Sequence, residues 1–287
     1  MNRILTYIGF SSLWAALCAY SLVLLTIIVG QGYRISYFHP LLLFVFGSTL
    51  LVYNAHNYFK VRKQLPTQRN KWNLSNTFNI LCWGAIGLVL ASVFVFHLHR
   101  NGIALLIILT VLTLSYSYPL LRFNRSRTAL KNLGVLKPFL LSLVWVAVTF
   151  LLPIVELSIP LSPELLFRGV VRWVFLLILC ILFDIKDIQV DSEKGIKTIP
   201  LLLGTKLHRY LHRFINGVIL ILTGAFFFFD MHIFYIVQII AFLLLKIMLH
   251  RVQPDKTELF YVINVDGMML LYSILLIICT LLTTLLH

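Results

Sequence analysis

The feature that most constrains this chain is a succession of apolar runs, each about long enough to cross a lipid bilayer as a helix. A helix needs about 20 apolar residues to span the hydrocarbon core. Runs near that length recur at about 8–29, 38–58, 77–97, 102–121, 134–154, 166–183, 212–229, 232–250 and 262–286, so nine spans are expected. The last two but one are divided by the shortest break, Asp230, Met231 and His232. Long uninterrupted runs exclude a membrane β-barrel, and in lipid only a helix satisfies its own backbone. Composition agrees: 60% of the 287 residues are hydrophobic and 12% are charged, with a mean hydropathy of +0.94. Soluble domains do not have this balance.

The formal net charge of +14 would suggest a nucleic-acid partner in a soluble protein. Here the basic residues sit in short loops between apolar runs, so they report membrane topology and anionic partners, with no nucleic acid. All but Arg34, Arg100, Arg168 and Arg172 of the 24 basic residues fall on one side of the nine-span arrangement. The positive-inside rule then sets the N-terminus inside and the C-terminus outside. One domain covers 1–287, since no extramembrane domain, repeat or low-complexity segment interrupts the runs. The cysteines Cys18, Cys82, Cys180 and Cys279 all lie in apolar runs and read as small core hydrophobes. Leu17, just before Cys18, fits a signal cleavage site poorly, so the first helix is expected to stay.

Chemistry is concentrated after the sixth run, in Phe183-Asp184-Ile185-Lys186-Asp187-Ile188-Gln189-Val190-Asp191-Ser192-Glu193-Lys194-Gly195-Ile196-Lys197-Thr198-Ile199-Pro200, which holds four of the ten acidic residues. Asp184, Asp187 and Asp191 at i, i+3 and i+7 share one helical face. Three carboxylates so close repel unless a cation sits among them. Mg²⁺, which takes carboxylates, waters and substrate phosphates, is the natural candidate. The bland reading is a solvated acidic loop that caps helix ends.

Asp-x-x-Asp-x-x-x-Asp, then Lys-Gly-Ile-Lys-Thr-Ile-Pro and Leu-Leu-Gly, resembles the second aspartate motif of the UbiA-type intramembrane prenyltransferases. The resemblance implies an all-α bundle of nine membrane helices around a central cavity. It also implies transfer of an isoprenoid chain from a prenyl diphosphate to an aromatic or lipid acceptor, in what is expected to be a bacterial cytoplasmic membrane. By it, Asp184, Asp187 and Asp191 are the catalytic residues and Mg²⁺ ligands, with Lys186 and Lys194 beside the diphosphate.

The chain departs from the family at the end of the second run, Asn54-Ala55-His56-Asn57-Tyr58-Phe59-Lys60-Val61-Arg62-Lys63. The family carries a first motif there, Asn-Asp-x-x-Asp-x-x-x-Asp. Asn54 matches, whereas Ala55, Tyr58 and Arg62 occupy the three aspartate places. Lys60 and Arg62 can bind phosphate oxygens directly, which suggests a site with fewer metals and more fixed cations. Asn54, His56 and Asn57 equally suit helix-end hydrogen bonding.

Tyr116-Ser117-Tyr118-Pro119-Leu120-Leu121-Arg122 resembles the family's Tyr-Ser/Thr-x-Pro-Pro-x-Lys/Arg segment, with Leu120 for its second proline. The resemblance puts Tyr116 and Ser117 near the diphosphate and Arg122 at the rim. An interfacial aromatic belt with a basic flank is the alternative. Lys137, among apolar residues, must snorkel, pair or meet a phosphate. Asp266 and Lys246 are expected to pair with each other. His208 and His212 lack a third ligand and are not read as a zinc site. Besides transfer, two functions stay open: cyclisation of the isoprenoid cation, and silent isoprenoid binding after loss of the first motif.

Overall fold

The computed structural model describes residues 3–31, 38–61, 67–117, 122–123, 126–127, 134–229 and 233–286. Helices dominate them: α1 Arg3–Phe10, α2 Leu13–Gln31, α3 Pro40–Val61, α4 Gln68–Ser75, α5 Thr77–Phe94 and α6 Arg100–Ser117. After a two-residue antiparallel ladder, β1 Arg122–Phe123 with β2 Ser126–Arg127, come α7 Leu136–Val146, α8 Leu152–Glu156 and α9 Pro163–Asp184. The chain continues through α10 Ile188–Glu193, α11 Ile199–Leu203, α12 Leu207–Phe228, α13 Ile233–Arg251, α14 Glu258–Phe260 and α15 Gly267–Leu286.

Seven helical stretches are long and apolar enough to cross a membrane, among them Leu13–Gln31, Leu136–Glu156, Pro163–Glu193 and Glu258–Thr284. The chain is an integral membrane protein. α3 and α6 stand on the expected second and fourth spans. The apolar stretch of α6 is the shorter Arg100–Thr113, while α3 ends in the polar series Asn54, His56, Asn57 and Lys60.

α9 runs through the middle of the largest apolar cluster, with Phe175, Leu176, Ile178, Leu179 and Leu182 all buried. Phe175 packs on Phe242 of α13 and Tyr272 of α15. Large side chains such as Phe78, Leu220 and Phe228 point outward, as lipid-facing positions should. α3 and α5 approach closely at Gly47 and Gly87. A Cβ on Gly87 would stand 2.7 Å from the Gly47 carbonyl oxygen and from the Leu51 nitrogen. Small residues at a helix crossing are a common device in lipid, where packing rather than water drives association.

Two helices depart from the runs read off the sequence. The first run breaks at Ser11 and Ser12, where Ser12 adopts a left-handed φ of 70°. That conformation is unfavourable for a residue with a Cβ. It is held from outside: Asn57 donates to the Ser12 hydroxyl at 3.1 Å and Arg69 at 3.2 Å, while the Asn54 amide donates to the Ser11 carbonyl at 3.1 Å. The second departure follows from Pro153. Proline has no N–H, so the carbonyl four residues earlier loses its helical donor. That carbonyl belongs to Thr149, inside the widened π-turn Ala147–Leu151. It accepts from Thr26 Oγ1 at 2.7 Å and from Arg172 Nη1 at 3.0 Å.

Arg172, which the charge count had assigned to the outer side, lies within α9 and serves the interior instead. It is buried within the bundle, 5% exposed, and also donates to Thr26 Oγ1 and the Leu22 carbonyl. A guanidinium is tolerable at such depth because backbone and hydroxyl oxygens surround it. Arg172→Leu should lower stability by on the order of 3 kcal/mol, since it removes charged hydrogen bonds and strips a donor from a carbonyl that cannot rejoin its helix. Thermal unfolding in detergent should show a clearly reduced Tm, and an unchanged Tm would contradict this account.

Candidate functional site

Asp184 is the last residue of α9, and the chain then tightens into a 3₁₀ turn, Ile185–Asp187, before α10 begins. The single continuous helix implied by the sequence spacing is thus interrupted. A 3₁₀ turn has three residues per turn, so Asp184 and Asp187 still project to the same side. α10 ends in a Schellman closure: Ile196 N–H donates to the Asp191 carbonyl at 2.9 Å and Gly195 N–H to the Ser192 carbonyl at 3.0 Å. Asp184 and Asp191 are buried, and Asp187 is half-buried.

The cation among these carboxylates is Lys137. Its Nζ lies 2.6 Å from Asp184 Oδ1 and 4.0 Å from Asp187 Oδ2. Asp191 is near enough to contribute to its electrostatic environment. Lys186 Nζ completes the group, 3.0 Å from Asp187 Oδ1 and over the Phe183 ring. The sequence left Lys137 to snorkel, to pair or to meet a phosphate; in the structure it pairs with Asp184. A backbone contact explains how a residue so distant in sequence reaches the motif. Gly134, with φ of 57°, abuts the Lys197 carbonyl so closely that any Cβ would collide with it. The start of α7 is thereby docked on the loop that follows α10, with Lys137 N–H bonded to the Gly134 carbonyl. Sequence reasoning treated Lys186 and Lys194 as the neighbouring cations. Lys194 is exposed, and Lys137 takes the central place.

The end of α3 faces this group. Lys60 is exposed and close enough to Lys186, Asp187, Arg69 and Glu258 to interact with their charges. Asn54 is buried, its amide hydrogens committed to the Ser11 and Leu50 carbonyls and its Oδ1 without a partner. Glu258 on α14 accepts from the Arg69 backbone N–H at 2.9 Å and so caps the start of α4. Phe10, Leu259 and Val262 pack with Trp72 and Phe183 beneath these groups. Arg62 lies outside the described residues. Tyr116 and Ser117 end α6 and Arg122 lies in β1, and for these three the description extends to the backbone only. The expected Lys246–Asp266 pair does not form: Lys246 bonds Asn216 Oδ1 at 2.9 Å. Asp266 instead sits in the field of Arg69 and Lys186.

Among the described residues, no three His, Cys, Asp or Glu side chains converge to hold a metal ion on their own. Two carboxylate oxygens, Asp184 Oδ2 and Asp191 Oδ2, are buried without a hydrogen-bond partner. Mg²⁺ is commonly bound through one or two carboxylates completed by water and substrate phosphates. The donor set therefore fits an ion that arrives with a phosphorylated ligand.

Fold and site define a polytopic helical membrane protein with an acidic and basic cluster where α3, α4, α7 and α9 meet. No protein-family model matches the chain, and no curated protein matches it in sequence. Solved structures do. A UbiA homologue from Archaeoglobus fulgidus bound to GPP and Mg²⁺ aligns over 96% of this chain and 99% of its own, with a TM-score of 0.66 at 11% identity. A UbiA homologue from the same organism bound to Cd²⁺ gives a TM-score of 0.61 at 11% identity over the same shares. Digeranylgeranylglyceryl phosphate synthase gives 0.58 at 12% identity over 98% of both chains. The chain has the fold of the UbiA-type intramembrane prenyltransferases.

The Lys137–Asp184 pair yields a direct test. Asp184→Asn removes one partner and leaves an ammonium poorly compensated in a largely buried place, which should cost about 3 kcal/mol. Adding Lys137→Met should restore much of the lost stability, because the stranded charge goes too. Chemical or thermal unfolding of both variants in detergent would measure this, and strictly additive losses would contradict the pairing.

Proposed function

We propose that this protein is a membrane prenyltransferase that binds a prenyl diphosphate at the cluster formed by Asp184, Asp187, Asp191, Lys137 and Lys186. What supports the reading is the placement of that cluster. On a fold shared along nearly the whole chain with a GPP-binding and Mg²⁺-binding homologue, it sits at the end of α9 opposite Lys60. The motif residues, the fold and the charge arrangement agree.

In this reading the chain forms one domain of nine membrane helices, 1–287, with its N-terminus and the site facing the cytoplasm of a bacterium. Lys60, Arg62 and Lys186 bind the phosphate oxygens and orient the diphosphate, with Lys194 and Arg122 at the rim. Asp184 and Asp191 would hold Mg²⁺, which when bound would supply charge neutralisation for the departing diphosphate, and Asp187 positions Lys186. Tyr116 and Ser117 belong to the pocket near the diphosphate, and the apolar helices bury the isoprenoid tail, which offers roughly 0.8 kcal/mol per CH₂.

A second reading, a silent isoprenoid-binding protein, is favoured by one observation. Asn54, the matching residue of the first motif, spends its amide on the Ser11–Ser12 break. Incubation with geranyl diphosphate and Mg²⁺, with and without a lipid extract as acceptor, separates the readings. Transfer gives prenylated product only with the extract, cyclisation gives product without it, and a silent binder gives neither.

The cationic half of the site predicts a specific loss. A charge-assisted bond to phosphate is worth roughly 1.5–3 kcal/mol, so Lys60→Ala and Arg62→Ala should each weaken binding of a non-hydrolysable geranyl diphosphate analogue at least about tenfold. Titration of the detergent-solubilised protein measures this, and wild-type affinity in both variants would remove those residues from the site. The orientation predicts that a cysteine placed at Lys60 or Gln189 reacts with a membrane-impermeant maleimide in inside-out vesicles and not in intact cells. Labelling in intact cells would reverse the topology.

A further inference from the structure

We propose that Lys137 is a tethered cation that takes the place of a metal ion, closing the aspartate cluster to free divalent cations until a diphosphate arrives. Three observations carry this. The Lys137 ammonium makes a 2.6 Å contact with Asp184 Oδ1 and reaches Asp187 Oδ2 at 4.0 Å, so a fixed positive charge already stands between the two carboxylates. Asp187 is further engaged by Lys186 at 3.0 Å. On the facing end of α3, Ala55 and Tyr58 supply no carboxylate, and Lys60 stands there with its charge close enough to act on Asp187.

The charge balance follows. Asp184, Asp187 and Asp191 are met by two ammonium groups, Lys137 and Lys186, before any ligand enters. A divalent ion alone would have to displace a side chain that is mostly buried, and whose place is fixed by the Gly134 contact with the Lys197 carbonyl. It would also create an excess of positive charge beside Lys60. A diphosphate brings negative charge and ligand oxygens together, so it makes room for one ion at Asp184 Oδ2 and Asp191 Oδ2 without expelling Lys137. Lys137 is a positioning residue for metal stoichiometry: it substitutes for one ion and leaves space for another. The metal-exclusion half stands on the ion pairs alone, while the admission of an ion with diphosphate rests on the proposed function.

The test uses Mn²⁺ as the probe, read by electron paramagnetic resonance on the full chain in detergent without any diphosphate. The wild type should leave the free Mn²⁺ signal unchanged up to about 1 mM, following from the occupied carboxylates. Lys137→Met should bind one Mn²⁺ at least about tenfold more tightly, because three carboxylates are then left facing one ammonium. Lys137→Met with Asp184→Asn should lose that gain. Lys137→Gln serves if the Met variant does not fold. Submillimolar Mn²⁺ binding by the wild type, or folded Lys137 variants that take up no more Mn²⁺ than the wild type, would overturn the proposal. A second arm adds the geranyl diphosphate analogue to the wild type. Mn²⁺ uptake should then appear, and failure of the analogue to bind would sink the proposed function while leaving the first arm intact.

Discussion

Every polar group carried into the apolar bundle has to find its partner inside the chain, because lipid offers none. That single requirement organises the structure. Pro153 frees the Thr149 carbonyl, and Arg172 and Thr26 take it up. The helix break at Ser11 and Ser12 is answered by Asn54, Asn57 and Arg69. Buried Glu156 accepts from the His99 N–H at 2.7 Å and caps the entry of α6. Lys137 and Asp184 obey the same rule with full charges.

These clusters divide into two kinds. Around Arg172 the charge is met by carbonyls and hydroxyls, with no carboxylate within ion-pair distance among the described residues, and the apolar cluster closes over it. Such a cluster locks helices together. At the end of α9 the groups are carboxylates and ammoniums, some of them partly exposed, with oxygens left over on Asp184 and Asp191. A region with carboxylate oxygens to spare can take up a further partner when a ligand arrives. That difference in the kind of compensation, more than depth alone, separates the structural clusters from the candidate site.

The apolar runs were legible because membrane thickness fixes helix length, and the helices fall on them. The aspartate spacing was legible because it is local: Gly195 closes α10 where the motif places it. That Ala55, Tyr58 and Arg62 bring no carboxylate to the end of the second run could also be read directly from the sequence. Local features of this kind depend on neighbours within a turn or two, so a linear chain records them.

What tertiary structure alone decided is which distant groups meet. The sequence left Lys137 to snorkel, to pair or to meet a phosphate, and paired Lys246 with Asp266. The fold gave Lys137 to Asp184 and Lys246 to Asn216. It turned Arg172, counted with the outer side, into the bundle interior, and it broke the first helix at Ser12. The physical reason is common to all four: a long side chain reaches several ångströms in any direction. Which carboxylate or carbonyl lies there depends on helix rotation and on backbone approaches such as Gly134 against Lys197. The sequence by itself determined a membrane bundle and an acidic motif; packing decided that the motif's central cation belongs to the chain.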